Sequence, residues 1–183
     1  MIVSPLRVYI SVSWKGDLET ERKSIEELIQ RDLLMFPVYP QEASIGAVPS
    51  NYFKKVNECD LVIAILGSRY SKHVNNEINY SFQNKIPVLC FVKDCKKEKK
   101  LQEMISKLED NHITTRPFRI IEDLEKEVKG AIISLLSERF KDCVEIERSI
   151  LRLITDGRIE IIKPKPFESQ YIDVPRINPF ERI

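Results

Sequence analysis

The sequence predicts an α/β fold: a parallel sheet with helices on both faces, followed by a C-terminal extension. Three observations carry this prediction. Short β-rich apolar runs alternate with amphipathic helical stretches from residue 7 to about 140. Leu61 to Leu66 is apolar at every position, the pattern of a strand buried on both faces. Polar turns, Ser13 to Asp17 and Gly67 to Ser71, stand where strands end and helices begin.

The elements follow in order. Arg7 to Val12 reads as the first strand. Asp17 can cap a helix in which Leu18, Ile25, Leu28 and Ile29 share one face while Glu19, Glu21, Arg22, Lys23, Glu26 and Glu27 face water, and the helix ends near Asp32. Phe36 to Tyr39 is a short second strand, and the stretch 40–49 has the breakers of a long loop. Ser50 can cap a second helix, which gives way at Cys59 and Asp60 to the third strand. A helix carrying Glu77, Ile78 and Phe82 precedes a fourth strand over Pro87 to Val92. A charged helix from about Lys97 to Leu108, a fifth strand from about Pro117 to Ile121 and a helix from Asp123 to about Phe140 complete a flavodoxin-like five-strand unit. Ligands in such sheets bind beyond the carboxyl ends of the strands, so 13–16, 40–49 and 67–76 form the expected rim.

The domain is therefore assigned to 1–140 and the extension to 141–183. In the extension, Glu145 to Ile154 reads as helical, Arg158 to Ile162 as a possible strand, and four of the ten prolines (Pro164, Pro166, Pro175, Pro179) favour an extended arm.

Composition excludes several function classes. Lys and Arg number 29 against 28 Asp and Glu, a net charge of +1, which gives no global field for a nucleic acid or an anionic membrane. The lysines from Lys93 to Lys100 lack interleaved aromatics and read as a solvated helix start. No apolar run approaches the roughly 20 residues of a membrane span, and the N-terminus does not read as a secretion signal, so a cytoplasmic location is expected. The four cysteines form no Cys-x-x-Cys pair and, with His73 and His112 scattered, make no metal site; they read as reduced structural thiols.

Taken together, the motifs resemble the Toll/interleukin-1 receptor (TIR) family and the TIR-like branch near the nucleoside 2-deoxyribosyltransferase fold. The likeness runs through Val8, Tyr9, Ile10 and Ser11 with Asp17, Ser44-Ile45-Gly46, the strand from Asp60 to Leu66, and Ser68-Arg69-Tyr70-Ser71 followed by Glu77 and then Ile86-Pro87-Val88. Glu21-Arg22 also resembles a sub-branch of TIR-like domains. The resemblance implies an enzyme that cleaves the nicotinamide glycosidic bond of NAD, or that transfers or hydrolyses nucleosides, through a glutamate at the start of the helix after the third strand. Glu77 holds that place. A carboxylate suits the chemistry, because breaking an N-glycosidic bond builds positive charge on the ribose ring, which a nearby anion stabilises or captures. NAD would be the substrate, with no cofactor and no metal.

The same resemblance places the ribose or adenine near Ser11, Ser13 and Trp14 and a mobile, stacking loop at Gly46; Arg69, beside Ser68 and Tyr70, can bind a phosphate through its planar donor fork, and Asn76 can hydrogen-bond a ribose hydroxyl. Bland readings stand beside these: a turn with a half-buried aromatic for Trp14, a surface ion pair for Arg69, a flexible loop for Gly46, and a helix-start carboxylate for Glu77. Asn75 and Asn76 would share the first turn with Glu77, whose backbone amides would keep the carboxylate ionised. His73 reads as a solvated loop residue. The family's aromatic-cysteine pair before the glutamate is replaced here by His73, Val74 and Asn75.

The leading expectation is a cytoplasmic TIR-like domain that cleaves NAD or a related nucleotide once assembled, as a homo-oligomer or with another TIR-like or effector protein, in stress or antiviral immunity. A non-catalytic module that senses a nucleotide or assembles with a partner is the first alternative. A nucleoside 2-deoxyribosyltransferase-like enzyme is the second.

Overall fold

Six consecutive buried side chains, Leu61–Leu66, form β3, the strand on which the sheet is organised. The computed structural model describes residues 5–13, 18–38 and 50–156, apart from the side chains of 50–52 and 154. The remaining strands are β1 (Arg7–Val12), β2 (Phe36–Val38), β4 (Val88–Lys93) and β5 (Thr115–Phe118). The helices are α1 (Glu19–Glu27), which continues as a π-helical turn over Leu28–Asp32, α2 (Ser50–Asn57), α3 (Lys72–Gln83), α4 (Lys99–Asp110) and α5 (Ile121–Thr155). All strand pairs are parallel and the order is β2-β1-β3-β4-β5, the flavodoxin-like arrangement.

Alternation along the strands sorts the core into two faces. Val8, Ile10 and Val12 of β1, Leu61, Ile63 and Ile65 of β3 and Phe91 of β4 pack with Ile25 of α1 and with Leu124, Val128, Ala131 and Ile132 of α5. On the opposite face, Ala64, Leu66, Cys90 and Val92 meet Val74 and Ile78 of α3 and Leu101, Met104 and Leu108 of α4. Tyr9 and Val62 meet Val38 and Val56 of α2 on that same face. Helices thus cover both faces, as expected for parallel strands.

Four local expectations are corrected. Glu21 does not face water: it is 5% exposed and pairs with Lys93 Nζ at 2.6 Å. Lys93 therefore ends β4 as the partner of a buried carboxylate rather than opening a solvated lysine run. Arg22 is half-buried and pairs with Glu26 at 3.2 Å. The last helix continues past Phe140 to Thr155 and takes in the stretch Glu145 to Ile154 that reads as a separate helix, because residues 141–155 contain no proline or glycine to stop it.

Contacts divide the chain into two units, Met1–Glu138 and Arg139–Ile183. Within the second, the described residues are the final turns of α5 and Asp156, and they carry exposed Phe140, Ile146, Ile150 and Leu151. The proposed cap Asp17, the stretch 40–49, the strand at 158–162 and the proline-rich arm lie outside the described residues. No described helix is long and apolar enough to cross a membrane.

The cysteines are free. Burial pushes the thiol of Cys59 up to about 11 and that of Cys90 up to about 12, which fits inert core residues. Cys143 is exposed and has no packing role of that kind.

Removing one partner of a buried ion pair leaves the other uncompensated. Lys93→Ala should lower unfolding free energy by about 2 kcal/mol, and Glu21→Leu combined with Lys93→Met should recover most of it. Urea unfolding of the three proteins checks this, and equal stability of Lys93→Ala and wild type would refute it.

Candidate active site

The strand order reverses direction between β1 and β3, since the chain leaves β1 toward β2 and leaves β3 toward β4. Helices α1 and α3 consequently lie on opposite faces. This is the switch point at which open parallel sheets bind ligands.

Helix α3 starts with Ser71 as N-cap, its hydroxyl accepting from the Val74 amide. Its buried residues are Val74, Glu77, Ile78 and Ser81, an i, i+3, i+4, i+7 stripe turned toward the sheet. Two members of that stripe are polar. Ser81 Oγ donates to the Glu77 backbone carbonyl at 2.7 Å, so its hydroxyl is satisfied within the helix. Glu77 places a carboxylate, 5% exposed, against the sheet.

The partners of that carboxylate come from β1. Tyr9 OH donates to Glu77 Oε1 at 2.9 Å, and Ser11 Oγ donates to Oε2 at 2.5 Å. Tyr9 and Ser11 are two residues apart, so the pleat sends both side chains to the α3 face. Both are fully buried. In register, Ser11 lies beside Ala64, the one residue of β3 smaller than valine, and this pair of small side chains leaves room for a carboxylate beneath α3.

Burial raises the Glu77 pKa above its ordinary 4.5, against the lowering effects of the Ser11 and Tyr9 hydrogen bonds and of nearby His73. The outcome is a carboxylate that is desolvated, fixed at both oxygens and harder to ionise than a surface glutamate. Each oxygen accepts one described side-chain hydrogen bond, and a carboxylate has about four acceptor positions. Spare lone pairs remain for a substrate.

The expected position of Glu77 in the first helical turn is corrected. It is the sixth residue of α3, in the second turn, and its charge is held by Tyr9 and Ser11 rather than by helix-start amides. The dipole reading of Glu77 loses its basis, since that effect fades beyond the first turn. His73 is likewise not a loop residue but the second residue of α3.

Of the other expected site residues, the structure joins only Ser11 to Glu77 by a described contact. Ser13 follows β1 and is half-buried. Ser68 accepts the Glu98 amide through its backbone carbonyl at 2.9 Å, and the Tyr70 amide donates to Glu98 Oε2 at 3.1 Å. Lys100 Nζ lies 4.3 Å from the Tyr70 ring centroid. Arg69 and Asn76 are exposed. Trp14 and Gly46 lie outside the described residues. Tyr9 was not singled out as a site residue, although a polar-tipped side chain two positions from a serine on the same face of an apolar strand is a legible signal. Among the described residues no group of three His, Cys, Asp or Glu is placed to hold a metal ion.

Residues 7–152 match the family described as Domain of unknown function (DUF4062). The chain belongs to that family. The TIR likeness rests on the motifs alone. No curated protein matches the DUF4062 chain. Among solved structures it is similar to a 2-deoxyribosyltransferase from Bacillus psychrosaccharolyticus, at 17% identity and a TM-score of 0.45, covering 65% of this chain and 90% of that one. It is also similar to the Clostridium botulinum CMP N-glycosidase, at 17% identity and a TM-score of 0.48, covering 67% of this chain and 97% of that one.

The raised pKa of Glu77 makes stability depend on pH with a definite sign. Between the unfolded value and the higher folded value, the folded DUF4062 domain holds a proton that the unfolded chain has released. Its contribution is full below the unfolded pKa and is lost as pH rises through the folded one. Glu77→Gln, which cannot ionise, should melt a few degrees above wild type at pH 8, with the gap closing toward pH 4. A wild type that melts higher than the variant at pH 8 would refute this.

Proposed function

We propose that this domain binds a nucleotide or nucleoside at the carboxyl ends of β1 and β3 and breaks its N-glycosidic bond with Glu77. The single observation that carries the reading is the buried Glu77 carboxylate, held at both oxygens by Tyr9 and Ser11 at the sheet's switch point. A carboxylate so held cannot turn away from the positive charge that develops at the ribose anomeric carbon, and its low-dielectric surroundings strengthen the attraction. It can act as an electrostatic partner or capture the sugar as a glycosyl ester that water then hydrolyses.

NAD is the first substrate of this proposal, because nicotinamide departs as a neutral molecule and needs no proton. The hydrolytic or cyclising outcome, the assembled oligomer or TIR-like partner, the cytoplasmic location and the setting in stress or antiviral immunity rest on the motif resemblance. The second reading, a module that senses a nucleotide without turning it over, is favoured by the near-complete burial of Glu77, which a purely structural carboxylate would share. Transfer to an acceptor base is the third.

One assay separates them. Purified protein at low and high concentration is incubated with NAD, and separately with a deoxynucleoside with and without a second base, while released base is followed by chromatography. Glu77→Gln should reduce release by about 10³-fold. Release that is unchanged in the variant would remove Glu77 from the chemistry. Ligand binding without release from wild type would favour the sensing module, and release that requires the second base would identify a transferase.

A further inference from the structure

We propose that His73 is the proton donor to the departing base, which extends the substrate class of this site to nucleosides and nucleotides with neutral bases. The proposal rests on the Glu77 reading. It comes from the placement of two titratable side chains on α3.

His73 and Glu77 are four residues apart in one helix, so they are neighbours on its surface, about 6 Å apart along the axis. Helix α3 follows β3, and its N-terminal turn lies at the carboxyl end of the sheet, so His73 is one turn nearer the rim than Glu77. Helical side chains lean toward the N-terminus, which tilts the Glu77 carboxylate toward His73. Glu77 is sensitive to the charge of His73, which supports that proximity. Between them the environment changes sharply: His73 is exposed, whereas Val74, Glu77 and Ile78 are buried. A sugar bound with its anomeric carbon at Glu77 has its base directed toward the rim, where His73 stands.

The chemistry fits that order. A neutral purine or pyrimidine leaves as an unstable anion unless its nitrogen is protonated as the bond breaks. As the C1′–N bond cleaves, its electron pair goes to the base nitrogen and the imidazolium of His73 gives that nitrogen its proton. Glu77 stabilises the cationic sugar or holds it as an ester. Water then adds to C1′ and returns a proton to His73, so substrate and water become free base and free sugar. NAD skips the proton transfer, because its nicotinamide is already cationic.

The test follows base release from AMP, CMP and deoxyadenosine on one side and from NAD on the other, using the full chain as wild type, His73→Gln and Glu77→Gln. Melting temperatures of all three proteins are measured alongside, so that a loss of release is told apart from a loss of fold. The expected result is release from neutral-base substrates by wild type, and a loss in kcat for His73→Gln that is about 10²-fold larger on those substrates than on NAD. Equal losses on both classes would show a merely structural role and overturn the proposal. Undiminished release from neutral-base substrates by His73→Gln, or a wild type that acts on NAD alone, would overturn it while leaving Glu77 in place. Full activity of Glu77→Gln, or no release by wild type from any substrate, would overturn both.

Discussion

A carboxylate taken out of water is costly unless it is hydrogen-bonded and fixed, and the centre of this domain is arranged around one. Glu77 sits in the apolar stripe of α3, pressed onto β1, with one hydroxyl for each oxygen. The arrangement needs β1 and β3 in their observed register, so that Ser11 lies beside Ala64 and Tyr9 beside Val62 on the α3 face. A slip of one residue in β1 would turn Tyr9 and Ser11 to the opposite face and leave Glu77 buried without partners. The apolar alternation of β1 that builds the core therefore also holds the site.

The two faces of the sheet treat their buried acids differently. On one, Glu21 has a cation, Lys93, and the pair joins α1 to the end of β4. On the other, the Tyr9 and Ser11 hydroxyls that hold Glu77 are neutral, and burial wins over their effect on its pKa. Glu21 is in direct contact with a cation, whereas Glu77 is hydrogen-bonded by neutral hydroxyls and is harder to ionise than a surface glutamate. This contrast, rather than burial alone, underlies the proposal that Glu77 carries the chemistry.

Much of the fold was legible in the sequence because parallel strands buried on both faces leave unmistakable apolar runs, as at Leu61–Leu66. Helix ends were less legible. The turns that follow the π-helical end of the first helix, α3 and α4 contain left-handed residues that are not glycine, namely Leu34, Lys85 and His112, so the usual stop signals were missing. Glu21 was misplaced because a charged residue between Leu18 and Ile25 reads as solvent-facing until its partner, 72 residues further along the chain, is brought beside it. Glu77 was found by motif likeness, but its environment was not: the helix-start argument supplied amides where the fold supplies Tyr9 and Ser11. The pattern itself carried the clue, since Glu77 and Ser81 occupy positions that Val74 and Ile78 mark as core-facing, and Ser11 lies in the buried run 8–12 of β1.

The most direct test of Glu77 as the centre of the site is where a sugar sits. A crystal structure of Glu77→Gln grown with saturating NAD should place the anomeric carbon of the nicotinamide ribose within about 3.5 Å of the residue 77 side chain, with Tyr9 and Ser11 still against that side chain. A nucleotide bound away from the ends of β1 and β3, with its ribose out of reach of residue 77, would contradict the account.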